Sequence, residues 1–475
     1  MNIFRKKHLD QLVSASVDKD RCLKRTLTTF DLTLLGIGCI VGAGIFVLTG
    51  TAALKAGPGV MASFILAGIA CALAALCYAE FASIVPVSGS VYTYTYLTMG
   101  EIFAWMIGWD LALEYLLGTT AIAAGWSGYF NKFLIFCQEL FMIPLAYQWH
   151  IPKFLLGAPG EVVDGVTTWF NLPAFFLIMV VSFLLARGVN EFKRASNWLV
   201  LLKISVVVLF IIFGLTAVDA GNWVPFAPKG WTGVGLAAAQ VFFAYIGFDA
   251  IATATEETKD PSKSIPRAIL LSLGISTILY VLVVLVMTGV VYYPEFALNL
   301  THPVDMVTEK LGINWLARVV NLGAVLGITT GVLGFSYSQT RLTYAMSCDG
   351  LLPPLFSRLH AKYATPAQGT WVIGLIAGFL AALVPLETLA DLVSMGTLAA
   401  FTFVAIGVIM LRYRKPDLAR PFRCPLFPVV PILSGLLNIA LAYNLPSSTK
   451  AVFVGWLAVG LLVYLTYSRY HSKVT

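Results

Sequence analysis

The chain has 475 residues, of which 59% are hydrophobic and only 12% charged, and its mean hydropathy is +0.84. That balance describes a polytopic membrane protein and excludes an ordinary soluble enzyme. The net charge of +7 is not a nucleic-acid signal, because Lys and Arg gather at helix ends on one side of the predicted membrane.

The first thirty residues are polar and basic, with Arg5, Lys6, Lys7, Lys19, Arg21, Lys24 and Arg25, which places this segment in the cytoplasm. No cleavable signal peptide is expected, since the first apolar run is too long for an h-region. Hydropathy then predicts twelve spans, near 31–55, 59–85, 101–130, 172–187, 194–218, 232–256, 266–292, 314–346, 368–385, 388–411, 427–444 and 451–470. Asp31 is expected to cap the first span. Pro86 and Ser88-Gly89-Ser90 are expected to end the second. The stretch 131–171, with Pro144, Pro152 and Pro159, reads as a long external excursion of loops, and 302–310 as a short external amphipathic helix. Pro261 and Pro266 mark the turn into the seventh span. Segments on the predicted inner side hold 23 of the 31 Lys and Arg, and outer segments hold seven. An even number of spans therefore leaves both ends in the cytoplasm of a multi-pass cell-membrane protein.

Two apolar stretches are poor continuous helices. Gly36–Phe46 carries four glycines in nine residues, Gly36, Gly38, Gly42 and Gly44, each costing roughly 1 kcal/mol against Ala in a helix. Freed backbone groups in lipid must find partners, so the pattern predicts a break at Gly42-Ala43-Gly44. The competing reading is a glycine face for close helix packing. Val241–Glu257, interrupted at Gly247 and carrying Asp249, is the second such stretch. Breaks at the first span of each of two five-span sets are the mark of an inverted repeat whose interruptions meet in mid-bilayer. There the N–H groups of one half-helix suit a carboxylate and the carbonyls of the other suit an ammonium. This divides the chain into a cytoplasmic segment (1–30), a first five-helix repeat (31–218), a second (219–425), and helices 11 and 12 with the cytoplasmic C-terminus (426–475). Helices 11 and 12 carry no polar residue that argues against a peripheral place.

Charges inside spans are functional by default. Lys203 lies nine residues past Arg194, about 13 Å along a helix, too deep for comfortable snorkelling. It reads as a proton-binding group or a fixed cation, with a headgroup contact or a permanent ion pair as the competing readings. Asp110 and Glu114 share a face of span 3, and Glu114, the deeper, is the expected counter-charge of Lys203 or of a basic substrate. Glu80 is expected in a structural or gating role at the inner end of span 2. Glu256 and Glu257 are expected in an inner ion-pair network, and Arg341 and Asp349 at an inner gate. Asp249 is expected to cap the half-helix after the second break. The five His fall in loops or tails, and of the seven Cys only Cys137 looks external. No metal cluster, disulfide framework or nucleophile–base pair is therefore expected.

Gly36–Gly50, Cys77–Ser90, Gly108–Tyr115, Gly125–Phe130, Val241–Asp249 and Gln339–Pro353 together resemble the amino acid–polyamine–organocation superfamily, and within it a bacterial member of the cationic amino acid transporter family. The resemblance implies an all-α membrane protein of LeuT-like 5+5 architecture with broken helices 1 and 6, working as a secondary amino acid transporter by alternating access. It places the substrate carboxylate at the backbone of Ala43, Gly44 and Ile45. The substrate amino group falls at the carbonyls of Ile40, Phe243, Ala244 and Ile246, with Phe243 as an aromatic lid. It assigns Lys203 the position of a coupling sodium, so that the proton is the coupling ion and no other cofactor is needed. Ala43 departs from the Thr or Ser common in relatives. Phe335 and Ser336 face the expected side-chain pocket, and a bulky Phe335 argues for a small neutral amino acid, against which Glu114 and Ser336 could accommodate a cation. An exchanger and a membrane-embedded sensor without flux are the alternatives. The partners expected are the amino acid and membrane lipid, and no nucleic acid; an accessory subunit is left open.

Overall fold

In the computed structural model the described residues are 5, 27–84, 90–140, 150–163, 165–187, 192–300, 302–361, 363 and 365–473. The expected end of the second span at Pro86–Gly89, most of the 1–30 segment, and the side chains of Glu256 and Glu257 lie outside them.

The first span opens with α1 (Thr29–Ile40). Its cap is Thr28, not Asp31: Thr28 Oγ1 accepts the N–H of Asp31, and Asp31 reaches back to the Thr28 N–H at 2.9 Å. This is a capping box, with the acid at the third helical position. The chain leaves the helix at Val41 and Gly42, re-forms it as α2 (Ala43–Phe46), and continues through α3 (Leu48–Ala56). The break thus begins one residue before the expected Gly42-Ala43-Gly44 and includes Gly42, while Ala43 and Gly44 lie inside a helical turn. After α4 (Val60–Ile84) and α5 (Ser90–Thr98) comes α6 (Glu101–Leu140). It runs ten residues past the expected end of span 3, because no Gly or Pro follows Gly128 before Pro144. Part of the expected loop excursion is therefore helix. The remainder includes an antiparallel two-stranded ladder of β1 (Val162–Val163) and β2 (Val166–Thr167).

Next come α7 (Leu172–Arg187), α8 (Phe192–Leu215) and α9 (Gly230–Val241). The path of α9 then tightens into a 3₁₀ turn at Phe242–Tyr245, turns at Ile246 and Gly247, and resumes as 3₁₀ helix at Phe248–Glu257. Gly247 has φ +121°, a conformation side chains rarely adopt. There follow α10 (Pro261–Val290), α11 (Pro303–Lys310), α12 (Asn314–Cys348), α13 (Ala367–Leu383), α14 (Leu386–Arg414), α15 (Val429–Tyr443) and α16 (Ser447–Val463), which continues through a π turn at Tyr464–Ser468 into α17 (Arg469–His471).

Among the described residues, seven helical stretches are long and apolar enough to cross a bilayer, and four shorter helices are also apolar. The chain is an all-helical, multi-pass membrane protein. The core runs through α6, α12 and α14 on one side and α4 and α10 on the other, with α1 lodged against α10, α12, α8 and the Phe248–Glu257 segment. Helix α16 is largely exposed. Helix α15 is less peripheral than its composition suggested, because Ser434 and Asn438 are fully buried.

Candidate functional site

The two breaks face one another at close range. A Cβ added at Gly44 would lie 2.5 Å from the Ala244 Cα and Cβ, so a hydrogen is all that fits between the two backbones. Helix geometry leaves the N–H groups of Ala43 and Gly44, at the start of α2, without intrahelical acceptors. The Ile45 N–H is engaged, donating to the Gly42 carbonyl at 3.3 Å. Across the gap, the Phe243 carbonyl accepts the Ile246 N–H at 3.2 Å.

Two of the other expected carbonyls, those of Ile40 and Ala244, meet a residue that hydropathy alone did not single out. The Tyr280 hydroxyl of α10 lies 2.7 Å from the Ile40 carbonyl and 2.7 Å from the Ala244 carbonyl. One hydroxyl hydrogen serves two strong acceptors, one on each broken helix, so the pair retains capacity for another donor. The signal was present in the sequence as a lone tyrosine in an apolar run, since a buried phenol needs a partner.

Lys203, 1% exposed, enters from α8. Its Nζ donates to the carbonyls of Val41 (2.6 Å), Gly38 (3.1 Å) and Gly327 (3.3 Å) and to Thr330 Oγ1 (3.0 Å). Two of those carbonyls belong to the last turn and exit of α1, which lost their helical donors at the break. The ammonium is therefore a C-terminal cap at the negative end of a half-helix. Its stem lies against Gly327, where a Cβ would meet it at 2.5 Å.

Glu114 is not its partner. The nearest side-chain hydroxyl to Glu114 is that of Thr397, and its charged neighbours are the carboxyls of Asp249 and Asp110. Asp249 accepts from the Tyr115 hydroxyl at 2.6 Å and faces the N–H groups at the start of the Phe248–Glu257 segment. The expected Lys203–Glu114 pair fails because α8 delivers Lys203 to the carbonyl end of α1, while α6 turns Glu114 toward the second break.

Phe335 and Ser336 also part company. The Phe335 ring packs on Gly118, approaches Gly247, and meets Tyr115 edge-on with centroids 6.1 Å apart. Ser336 points away, 3.4 Å from Thr119 Oγ1, and lines a small cavity with Ser182, Thr340 and Thr370 between α6, α7, α12 and α13. The Ile45 side chain lines a separate apolar cavity with Phe210 and Val304. The structure thus brings together Ile40, Ala43, Gly44, Phe243, Ala244, Ile246 and Phe335, keeps Lys203 one layer behind the first break, and turns Ser336 elsewhere.

On the side rich in Lys and Arg, Glu80 of α4 is clamped. Its carboxylate takes Arg412 Nε at 2.9 Å, Arg412 Nη2 at 2.6 Å and the Cys424 N–H at 2.8 Å, and lies 3.3 Å from Arg420 Nε. Nearby, Asp349 accepts from the Tyr92 hydroxyl at 2.6 Å, and the Arg341 guanidinium lies over the Tyr337 ring. At the opposite end, Lys132 of α6 pairs with Asp305 of α11 at 2.7 Å.

Paired helix breaks in an apolar bundle, backed by a buried cation, define a membrane permease rather than an enzyme. Residues 27–466 match the amino acid permease family model, and the chain belongs to that family, within the amino acid–polyamine–organocation superfamily. It is 50% identical over 473 residues to the branched-chain amino acid permease BcaP of Bacillus subtilis, covering 100% of this chain and 99% of the relative. It is 49% identical over 472 residues to the methylthioribose transporter of the same organism, covering 99% of each. Over 403 residues it is 38% identical to human cationic amino acid transporter 4, covering 83% of this chain and 60% of that one.

Proposed function

We propose that this protein carries a neutral amino acid inward with a proton, by alternating access around the two helix breaks. In this reading twelve spans form a 5+5 inverted repeat followed by two further helices, with both termini cytoplasmic. The observation that carries the proposal is the pair of carbonyls, Ile40 and Ala244, that share one Tyr280 hydroxyl hydrogen at the point where the breaks meet. An α-ammonium supplies the donors those carbonyls lack, and the N–H groups of Ala43 and Gly44 suit the carboxylate. Phe335 fills the side-chain direction with an apolar wall, which supports a neutral side chain over a cationic one and agrees with the branched-chain permease among the relatives.

Lys203 supports proton coupling because an ammonium held only by neutral oxygens releases its proton without abandoning a paired carboxylate. Protein in proteoliposomes should concentrate a neutral amino acid when the outside is acidic and stop when the gradient is collapsed. Uptake indifferent to the gradient, with counterflow intact, identifies an exchanger instead.

The methylthioribose transporter among the relatives supports a second reading of the substrate. Ligands stabilise the state that binds them, so a thermal-shift panel of the twenty amino acids together with methylthioribose separates the two. A shift with methylthioribose alone overturns the amino acid assignment.

A further inference from the structure

The half of the first broken helix that follows the break is covered, and an ion pair helps to hold the cover. Ile45, Phe46, Leu48, Thr49 and Gly50 of α2 and α3 are all buried. An amino acid that reaches the Ile40–Ala244 junction from that side must displace what lies over them. The cover is organised by one face of α6, where Tyr129 and Lys132 are three residues apart. The Tyr129 hydroxyl donates to the Phe46 carbonyl of α2 at 2.8 Å, and Lys132 Nζ donates to Asp305 Oδ2 of α11 at 2.7 Å. Helix α11 closes the triangle. A Cβ added at Gly50 of α3 would meet Pro303 at 2.8 Å, and the His302 ring stands edge-on to Tyr129 with centroids 5.0 Å apart. We propose that Lys132 and Asp305 are positioning residues for transport, their ion pair latching α11 over α3, opening for an amino acid to enter from the outer side and closing before it leaves on the inner side. This rests on the alternating access proposed above.

The surroundings of the pair suit a contact that opens and closes. The Lys132 side chain is 36% exposed and that of Asp305 7%, so water reaches the ammonium and takes the place of the carboxylate when the two part. A pair with one solvated member is weak enough to break without help. Asp305 Oδ1 is buried with no hydrogen-bond partner among the described residues, so the carboxylate depends on Lys132 for its anchorage. The lid itself is one piece. A 3₁₀ turn at Tyr293–Leu298 precedes α11, and Lys310 at the far end of α11 reaches back to Glu295 in that turn at 3.2 Å. A segment tied to itself at its ends tilts without unravelling. Val304 of α11 bounds the apolar cavity beside Ile45 and Phe46, so lid and half-helix are not close-packed along that side and separate at little loss of contact. What joins them to α6 is the Tyr129 hydrogen bond on one and the Lys132 ion pair on the other. One carboxylate on the lid thus decides whether α3, α6 and α11 move as a single body.

The test uses full-length protein carrying Cys137→Ser, which removes a thiol five residues further along α6. Lys132→Cys and Asp305→Cys are introduced together and bridged in detergent by a bis-methanethiosulfonate reagent whose spacer spans the two replaced side chains. The protein is then reconstituted into proteoliposomes. We expect uptake of a neutral amino acid to fall to background in the bridged protein and to recover with dithiothreitol, while each single-cysteine variant is unaffected by the reagent. Bridged protein that transports as well as unbridged protein overturns the latch. Charge reversal supplies the second arm. Lys132→Asp and Asp305→Lys should each lower uptake several-fold, and the two together should restore at least half of it. Single reversals that transport like wild type, or a double reversal no better than the singles, overturn the pairing. A pair that served stability alone would also be rescued by reversal, but bridging it would leave uptake intact. Counterflow by the unmodified protein is measured alongside, so a failure of the transport reading shows there and a failure of the latch shows only in the bridged protein.

Discussion

Two cationic sites in this molecule are held in opposite ways. At the centre, Lys203 is held by backbone carbonyls and one hydroxyl. On the basic side, Arg412 and Arg420 converge on the carboxylate of Glu80. A guanidinium stays protonated across the accessible pH range and fits a carboxylate with two parallel bonds. Loss of either partner there strands a buried charge. An ammonium resting on neutral dipoles leaves no opposite charge behind when it gives up its proton. The first arrangement suits a switch and the second a fixture, and the difference in partners goes with a difference in depth, since Lys203 is fully buried and Arg412 only partly so.

The sharpest way to break this contrast is to remove deprotonation while keeping charge and donors. Lys203→Arg retains a cation at the end of α1 but never releases its proton, and its larger head must enter where the Lys203 stem already lies on Gly327. Gradient-driven uptake should fall to background in Lys203→Arg, and also in Lys203→Met, which keeps the stem length without the charge. Thermal unfolding of the Met variant supplies the folding control. Gradient-driven uptake by Lys203→Met at the wild-type rate would show that the lysine is a fixture after all.

The converse variant is Glu80→Gln. Glu80 is 1% exposed and is the carboxylate on which two guanidinium groups converge. Breaking a buried pair by removing one partner costs about 3–5 kcal/mol. The variant should lose stability on that scale, read as a lower apparent unfolding temperature, while any protein that remains folded keeps its dependence on the proton gradient. Altered coupling without altered stability would put Glu80 in the switch class.

Between these lies the contact of the breaks themselves. Gly44→Ala inserts a methyl where 2.5 Å separates the Cβ position from Ala244, so one backbone must move. Binding that depends on both breaks should weaken by about tenfold, since a misplacement of order 1 Å costs up to 10²-fold. A dose-dependent thermal shift with the transported amino acid measures it. An unchanged midpoint would mean that the ligand does not use this junction.

How far the sequence reached follows the same division between backbone and side chains. Interrupted apolar runs exposed both breaks, because glycine in a membrane-spanning helix is costly enough to need a reason. Their register was off at the first, since Gly42 alone supplies the turn and Gly44 serves the close approach to Ala244. Lys203 was legible as a charge out of place. Its partners were not, because carbonyls are present at every position and only the break decides which are unclaimed. Glu114 was legible as buried, but the direction in which α6 turns it was not. Consecutive residues on a helix point about 100° apart, which is why Phe335 and Ser336 read as one pocket wall and stand on different ones.

That rotation makes Phe335 the residue with which to sharpen the substrate side of the comparison. Its ring occupies the space over Gly118 and beside Gly247 and Tyr115, where a substrate side chain leaving the Ile40–Ala244 junction would be directed. Phe335→Ala opens that space. Protein without ligand should lose about 3–5 kcal/mol from the cavity. A longer amino acid should recover part of it by filling the void, and each methylene buried is worth about 1–3 kcal/mol in discrimination. We therefore expect the ratio of affinities for long over short substrates to rise by about tenfold, measured as the difference in thermal-shift midpoints across a series of increasing side-chain length. Ser336→Ala, which alters only the wall of the α6–α7–α12–α13 cavity, should leave that ratio unchanged. If instead Ser336→Ala moves the ratio and Phe335→Ala does not, the substrate side chain leaves the junction on the far side of α12, and the apolar wall argued for neutral specificity belongs to the scaffold.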